Sequence, residues 1–244
     1  MKTLVIIPSR LSAKRLPGKP LLKINDISII SHVFKKAEEA NIGEVVVATE
    51  DQEIIDDVRQ NGGQAILTKN SHKTGTDRIY EALQKFNFSK IDLIMNLQGD
   101  EPLMNVEDIR NLNDQMIKTR SQMGTLASKI LDKELYENEN VVKVKTKISL
   151  DNSNFPSALN FTRKGIQNQE NIYHHLGIYC YQRETLKNFI SLNQSSNEVK
   201  YNLEQLRALD NGVKINVALA KSSPLGVDTQ EDFVAIKKIM EYKR

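Results

Sequence analysis

Cysteine is almost absent from this chain of 244 residues, in which Cys180 stands alone. One cysteine cannot form a disulfide within the chain, and no spacing of cysteine and histidine indicates a zinc site. Cys180 lies in an alternation of apolar residues, which favours a small buried hydrophobic side chain. The lack of cysteine therefore excludes the disulfide-stabilised scaffolds of oxidising compartments.

Long apolar runs are also missing, and none approaches the roughly 18 residues that a membrane-spanning helix requires. The N-terminal stretch reaches Pro8 and Arg10 before the apolar core of a signal peptide can develop. Apolar residues make up 39% and charged residues 27% of the sequence, which is typical of globular proteins. We therefore expect a cytoplasmic protein without membrane insertion.

Two glycine-rich fingerprints of nucleotide-binding proteins are absent. The dinucleotide pattern G-x-G-x-x-G needs three glycines after the first strand, where this chain has Gly18 alone, and the Walker pattern does not occur. Glu50 and Asp51 follow the second predicted strand, where an acid for a ribose could lie, but a helix cap explains Asp51 equally well. No nucleophilic triad stands out, and the adjacent His174 and His175 would point to opposite faces of a strand. These observations disfavour a nicotinamide-dependent oxidoreductase.

Carboxylates are missing from the beginning of the chain, because Asp26 is the first acidic residue. The stretch 6–24 nevertheless contains five cations directly after an apolar run, and Pro8 and Pro17 stiffen it. A stiff loop of one sign at the carboxyl end of a strand suits a polyphosphate, although a solvated basic turn is the alternative. The net charge of +3 is too small to indicate nucleic acid. The five cations are Arg10, Lys14, Arg15, Lys19 and Lys23.

Short apolar runs alternate with helix-like segments in the first half, which predicts a doubly wound parallel sheet. In the second half, strand-like segments follow one another with few helices between them, so we expect antiparallel additions. We predict a helix from residue 27 that Gly43 ends, one helix over 200–212, and a last helix capped by Thr229 and Asp232. The whole chain, 1–244, is expected to form one domain. The predicted strands of the first half are 3–7, 44–49, 64–68 and 92–98, and those of the second half are 123–130, 140–146, 158–163, 175–181 and 215–220.

Two further motifs place polar groups at the same edge of the predicted sheet. In 73–83, Gly75 permits close backbone approach at a helix N-terminus that can bind an anion, and Arg78 lies one turn further. The same residues are equally typical of a helix start without a ligand. In 95–102, a buried strand ends in Gln98 and Asp100, and Asp228 lies at another strand-to-helix junction. If these carboxylates meet over the basic loop, they form a site for Mg²⁺ and a triphosphate.

Eight motifs in the same order resemble the family of cytidylyltransferases that activate 3-deoxy sugar acids, the 3-deoxy-manno-octulosonate cytidylyltransferases. The resemblance runs over about residues 3 to 235. It implies an α/β nucleotide-diphospho-sugar transferase fold, which is Rossmann-like, in a homodimer whose segment 145–180 forms the sugar pocket and the dimer contact. The motifs are IIPSR, RLPGKPL, VVVATED, TGTDR, NLQGDEPL, HLGIYCY, LEQLRAL and GVDTQED.

The resemblance also implies the partners and the site. CTP and a sugar acid would be the substrates, with no nucleic acid involved, and Asp100 and Asp228 would bind Mg²⁺. Asp100, Asp228, Lys19 and Arg10 would carry the catalysis. The nucleotide would be held by Pro8, Arg10, Arg15, Lys19, Gly75, Arg78 and Gln98. The sugar acid would be held by Gln98, Arg163, His175, Tyr179, Glu204 and Gln205.

The implied reaction is an in-line attack of the sugar's anomeric hydroxyl on the α-phosphorus of CTP, with loss of pyrophosphate, in lipopolysaccharide precursor synthesis. Our hypothesis is that Mg²⁺ on the two aspartates lowers the pKa of the attacking hydroxyl, because no histidine base is evident. His174 replaces the arginine that is common in the family, and 164–171 departs from its pattern. An 8-amino analogue or an acylneuraminate therefore stays open as the substrate, and a nucleotide-binding module without catalysis is the alternative from another class.

Overall fold

A computed structural model describes residues 1–12, 15–86, 90–152, 154–165 and 170–242. They form two compact units. The first, here called the N-terminal unit, comprises Lys2–Ile109 and Pro224–Arg244, and the second, the central unit, comprises Met1 and Arg110–Ser223. The prediction of one domain over 1–244 stays a prediction. None of the described helices is long and apolar enough to cross a membrane.

The N-terminal unit contains a parallel sheet. Its first strand pairs with the two strands that follow the first and third helices, and the register aligns Ser9 with Thr49. The residues of the first strand are almost wholly buried, which explains why it is a continuous apolar run. The elements are β1 Thr3–Ser9, β2 Lys23–Ile24, β3 Ile27–Ser28, α1 Ile29–Ala40, β4 Gly43–Thr49, α2 Gln52–Gln60, β5 Ala65–Leu67, α3 Gly75–Lys85, β6 Leu93–Asn96 and α4 Val106–Thr119, within which the boundary between the units falls.

The strand order β6-β1-β4-β5 in this unit confirms the predicted parallel sheet. The end predicted for α1 is wrong. Asn41, with φ of 52°, ends the helix in the left-handed conformation, whereas Gly43 begins β4. A Cβ at Gly43 would lie 1.9 Å from the carbonyl oxygen of Thr3, so this glycine permits the close approach of two strands.

The basic loop after β1 ends in two elements that the sequence did not predict. A 3₁₀ helix spans Lys19–Leu21, and β2 and β3 form a two-stranded hairpin closed by Asn25 and Asp26, both with positive φ. Ile24 of this hairpin is fully buried with Val227 and Ile236. The end of the basic loop is therefore fixed against the segment around residue 227.

The central unit contains antiparallel pairs and one parallel pair. β10 pairs antiparallel with β7 and β8, β8 pairs antiparallel with β9, and β11 lies parallel to β7. The predicted antiparallel additions are therefore confirmed. The elements are β7 Met123–Ser128, α5 Lys133–Glu137, β8 Lys143–Thr146, β9 Ala158–Thr162, β10 Ile172–Gln182, α6 Arg183–Ser191, α7 Ser196–Tyr201, α8 Gln205–Asp210 and β11 Ile215–Leu219, and α9 Gln230–Tyr242 belongs to the N-terminal unit.

The single helix predicted over 200–212 is wrong, because α7 ends at Asn202 in the left-handed conformation, with φ of 52°, and α8 begins three residues later. The capping prediction for α9 is confirmed. The Thr229 hydroxyl accepts a hydrogen bond of 3.2 Å from the Asp232 N–H, and the Asp232 carboxylate accepts one of 2.9 Å from the Thr229 N–H. This cap fixes the chain directly after Asp228.

Candidate active site

The basic loop is held by its own backbone and by α2. The Gly18 N–H donates to the Leu11 carbonyl at 3.0 Å, and Gly18 adopts a φ of 73° that favours glycine. The Asp51 carboxylate accepts a 2.7 Å hydrogen bond from the Leu11 N–H. Asp51 precedes α2 as the cap residue but makes no side-chain cap bond, so its carboxylate serves the loop instead.

Lys19 lies at the centre of the candidate site, between two carboxylates. Its ammonium donates to Asp100 Oδ2 at 2.5 Å, to Asp228 Oδ1 at 3.2 Å and to the Val227 carbonyl at 2.9 Å. The Lys19 side chain is 14% exposed, while those of Asp100 and Asp228 are 28% and 44% exposed. Burial lowers the pKa of Lys19, but the two carboxylates outweigh burial and raise it. The two aspartates therefore meet around one cation, at a place that solvent reaches.

The other cations of the loop differ in their contacts. Arg15 is 64% exposed and pairs with Asp228 Oδ2 at 2.8 Å. Arg10 is exposed and makes no ion pair with the acidic residues that the structure describes. Lys14 lies outside the described residues. Arg10 and Arg15 therefore present guanidinium groups that a polyphosphate can reach.

Three parts of the chain lie close together: the end of β1, the loop that follows β6, and the start of α3. A Cβ at Gly99 would lie 2.9 Å from the Pro8 carbonyl oxygen, and the Cβ of a residue at Gly75 would lie 3.5 Å from Pro8 Cγ. Thr74 and Asp77 form a capping box at the start of α3. Gln98 follows β6 and is half-buried. Gly99 thus permits the close approach of the loop after β6 to Pro8, whereas a Cβ at position 75 would make only an ordinary contact.

Arg78 is buried instead of open to solvent. Its guanidinium pairs with the Glu50 carboxylate and donates to the Thr68 hydroxyl at 2.6 Å. Glu50 is therefore committed to an internal ion pair. This pair fixes the first turn of α3 to the ends of β4 and β5.

The predicted sugar residues His175 and Tyr179 form part of a row of rings in the central unit. The ring centroid of His175 lies 5.0 Å from that of Phe161 and 5.4 Å from that of Tyr179. The ring centroid of Tyr181 lies 5.9 Å from that of Tyr179. His175 Nε2 lies 3.1 Å from the Thr125 hydroxyl. Burial, with a smaller contribution from His174, lowers the pKa of His175 to about 3. This histidine is therefore a neutral hydrogen-bonding group at physiological pH.

Arg163 and Glu204 lie on loops and Gln205 lies on a helix of the same unit, whereas Gln98, which the resemblance also assigns to the sugar acid, lies in the N-terminal unit. Arg163 is half-buried and donates to the carbonyls of Glu139 and Asn140 at 3.4 and 3.3 Å. Glu204 precedes α8 with its side chain 33% exposed, and Gln205 is buried at the first position of that helix.

Comparisons with known proteins decide the family. The family model described as Cytidylyltransferase matches residues 4–215. The 3-deoxy-manno-octulosonate cytidylyltransferase of Afipia carboxidovorans is 42% identical over 241 residues, which cover 98% of this chain and 96% of the relative. That of Thermodesulfovibrio yellowstonii is 40% identical over 251 residues, which cover 98% of both. This chain belongs to the cytidylyltransferase family.

Solved structures agree with this family. A structure of CMP:2-keto-3-deoxy-manno-octonic acid synthetase complexed with CTP matches this cytidylyltransferase with a TM-score of 0.91 at 33% identity, and each chain covers 100% of the other. A cytidylyltransferase from Leptospira borgpetersenii matches with a TM-score of 0.65 at 19% identity, which shows the fold alone. The α/β fold that the sequence predicted is confirmed.

The structure of this cytidylyltransferase also shows an acidic residue at the site that sequence reasoning missed. Burial, together with Asp100 and Asp228, raises the pKa of Glu101 to about 8. Its Oε2 is shielded from solvent and has no hydrogen-bond partner among the described residues. The Gln-Gly-Asp-Glu run was visible in the sequence, but the shielding of Glu101 Oε2 was not.

Glu81 of α3 was missed as well. Its Oε2 pairs with His72 Nε2 and accepts a 3.0 Å hydrogen bond from the Lys69 N–H, and its Oε1 lies 2.7 Å from Lys85 Nζ. Burial raises the pKa of Glu81, but these partners outweigh burial and lower it to about 2. Glu81 thus ties the loop that precedes Gly75 to its own helix. The spacing of Glu81 and Lys85 was readable in the sequence, whereas the pair with His72 was not.

Proposed function

We propose that this cytidylyltransferase transfers the CMP group of CTP to 3-deoxy-manno-octulosonate and releases pyrophosphate. The observation that carries the proposal is the meeting of Asp100, Asp228 and Lys19 at the end of the basic loop. The names of the relatives and the CTP complex of the similar solved structure support both substrates.

The N-terminal unit would bind the nucleotide. Arg10 and Arg15 are accessible, and Lys19 can exchange its aspartate partners for phosphate oxygens. The packing around Pro8 puts the start of α3, with Gly75, beside the end of β1, where the positive end of the helix dipole would favour an anion. Gln98 and the internally paired Arg78 would shape the same edge of the sheet. These residues bind and orient the triphosphate for in-line displacement.

Asp100 and Asp228 fit a divalent cation, which we take to be Mg²⁺. The Lys19 ammonium already stands between them, which shows that the pair accommodates a positive charge. In the part of the chain that the structure describes, no group of three acidic, histidine or cysteine side chains could hold a metal. Two carboxylates plus substrate phosphates are a usual Mg²⁺ environment. When bound, Mg²⁺ would offset phosphate charge and lower the pKa of the acceptor hydroxyl.

The central unit would recognise the sugar acid. Arg163 offers a guanidinium that can bind a carboxylate in two-point fashion. The neutral imidazole of His175 and the phenol of Tyr179 can hydrogen-bond sugar hydroxyls without bringing charge into a buried row. Glu204 and Gln205 would add polar contacts from the start of α8. Ordered groups of this kind fix the anomeric hydroxyl in one orientation.

The cellular setting is part of the same proposal. Activated 3-deoxy-manno-octulosonate serves lipopolysaccharide precursor synthesis, and we place the reaction in the cytoplasm, where CTP is made. We further propose a homodimer that uses the segment 145–180. Ile148 and Leu159 of this segment are 51% and 55% exposed, which is apolar surface that a second copy could cover.

Pyrophosphate release tests the function. Purified protein receives CTP and Mg²⁺ with 3-deoxy-manno-octulosonate, its 8-amino analogue or N-acetylneuraminate, and ATP, GTP and UTP serve as nucleotide controls. We expect the highest kcat/KM with CTP and 3-deoxy-manno-octulosonate. Preference for another acid would replace the proposed substrate. Tight CTP binding without release with any acid would favour the binding module and overturn the proposal.

A further inference from the structure

Lys143 is a buried lysine that the proposed mechanism does not use. It begins β8, where it pairs with Thr162 of β9 on one side and with His174 of β10 on the other. Its relative exposure is 0%. Lysine is almost never fully buried unless its ammonium has a specific partner, because desolvating the charge is costly. The partners of Lys143 therefore indicate what the residue does.

Both partners are backbone carbonyl groups. The Lys143 ammonium donates to the Asn138 carbonyl and to the Arg163 carbonyl, each at 2.7 Å. Within the described ranges, no carboxylate lies within ion-pair distance of it. Burial lowers the pKa of Lys143, the charge of Arg163 lowers it further, and Glu139 opposes them. A buried charge without a counter-ion carries a desolvation cost and stabilises the fold little. We therefore look for the role of Lys143 in the two carbonyl groups that it holds in place.

One of these carbonyls belongs to Arg163 itself, and the other belongs to the turn that the Arg163 side chain contacts. The Arg163 guanidinium donates to the carbonyls of Glu139 and Asn140, in the turn that begins with Asn138. Lys143 holds that turn through Asn138 and holds the backbone of Arg163 itself. The backbone and the side-chain anchor of Arg163 thus depend on one ammonium group.

We propose that Lys143 is a positioning residue that holds Arg163 in place to bind the carboxylate of the sugar acid. The inference rests on the proposed function, since it assigns Arg163 a substrate carboxylate. Lys143 has no exposed surface and contacts the Arg163 backbone directly, so we assign it an effect through Arg163 instead of a contact with the substrate. Loss of its ammonium frees the turn and the guanidinium together, and the cost falls on acceptor binding.

The test is Lys143→Met, which keeps the length of the side chain and removes its charge. We expect KM for 3-deoxy-manno-octulosonate to rise at least about tenfold, as for a lost charge-assisted anchor, while KM for CTP stays within about twofold of the wild-type value, since every nucleotide contact is retained. Lys187→Met is the matched control, because Lys187 lies on α6 of the same unit, where its side chain is 61% exposed and pairs with Glu184. The melting transition and its shift on CTP binding report folding. Lys143→Gln is measured beside it in case Lys143→Met does not fold.

A double variant separates positioning from mere stabilisation. If Lys143 acts through Arg163, Lys143→Met adds little to the KM of an Arg163→Ala protein for the acid. A folded Lys143→Met protein with wild-type KM for the acid overturns the inference, as does an equal rise in both KM values or a full additional rise in the double variant. Absence of turnover in the wild-type protein would instead overturn the proposed function.

Discussion

Lys19 and Lys143 are both shielded lysines, one in each unit, and they have opposite partners. Lys19 lies between two carboxylates, which raise its pKa, whereas Lys143 lies between two backbone carbonyls, and burial lowers its pKa. An ammonium paired with side-chain charges can change partners when phosphates or a metal arrive. An ammonium bound to two carbonyls holds backbone in place. The charges around Lys19 can therefore be exchanged, whereas the charge of Lys143 fixes geometry.

The largest expected effect is that of Asp100→Asn, which removes one of the carboxylates around Lys19. We expect kcat to fall by about two orders of magnitude or more, as for other single groups that stabilise developing charge. Asp56→Asn is the control, since Asp56 lies on the exposed face of α2, where it accepts a hydrogen bond from Gln52. Steady-state assays over a range of Mg²⁺ concentrations measure the effect. Turnover close to that of the wild type at limiting Mg²⁺ would contradict the role of the pair.

Lys19→Met is the counterpart of Lys143→Met and should affect the other substrate. We expect kcat/KM for CTP to fall about tenfold to a hundredfold, because a charge-assisted phosphate contact is lost, with KM for the sugar acid unchanged. Lys36→Met is the control, since Lys36 forms an exposed pair with Glu39 on α1. Equal effects of the two lysine variants on both substrates would contradict the assignment of Lys19 to the nucleotide and of Lys143 to the sugar acid.

Glu81→Gln should have the smallest effect, on stability and its pH dependence. The folded pKa of Glu81, about 2, lies below its ordinary value of 4.5. Its ionisation therefore stabilises the fold at pH above about 4.5, and this contribution is lost as pH falls towards 2. We expect the variant to lose about 1 kcal/mol at pH 7, a value reduced for solvent screening, and less at pH 3.

Urea unfolding of Glu81→Gln beside wild type at pH 7 and pH 3 measures this difference. Glu39→Gln, an exposed partner of Lys36, is the control that should change little at either pH. A stability difference that grows at pH 3 would show that the contacts of Glu81 with His72 and Lys85 do not act as charge pairs.

The sequence predicted the elements whose pattern is local. The parallel strands of the N-terminal unit read as continuous apolar runs, and the cap at Thr229 follows from residues three apart. The sequence also singled out Asp100 and Asp228, which the structure brings together on Lys19. Their role as metal ligands and the roles of the other predicted site residues stay predictions.

The features that the sequence did not predict either have too weak a local pattern or depend on contacts between residues far apart in the chain. Asn41 and Asn202 end helices in the left-handed conformation, which asparagine tolerates but which its presence alone does not predict. The first predicted helix therefore ran on to Gly43, and the helix predicted over 200–212 joined two separate helices. β2 and β3 have two residues each, too few for a periodicity. The partners of Lys143 are carbonyl groups, which every residue has. Only the fold selects which of them meet the ammonium.

Phosphorus NMR of the wild-type protein with CTP, Mg²⁺ and 3-deoxy-manno-octulosonate tests the central claim most directly. We predict that the CTP signals disappear while one phosphodiester signal of the CMP-sugar and one pyrophosphate signal grow. The pyrophosphate signal should have twice the integral, because each pyrophosphate carries two phosphorus atoms, and nothing should change when the acid is omitted. Release of orthophosphate with CDP, or unchanged CTP in the complete mixture, would contradict cytidylyl transfer by this chain.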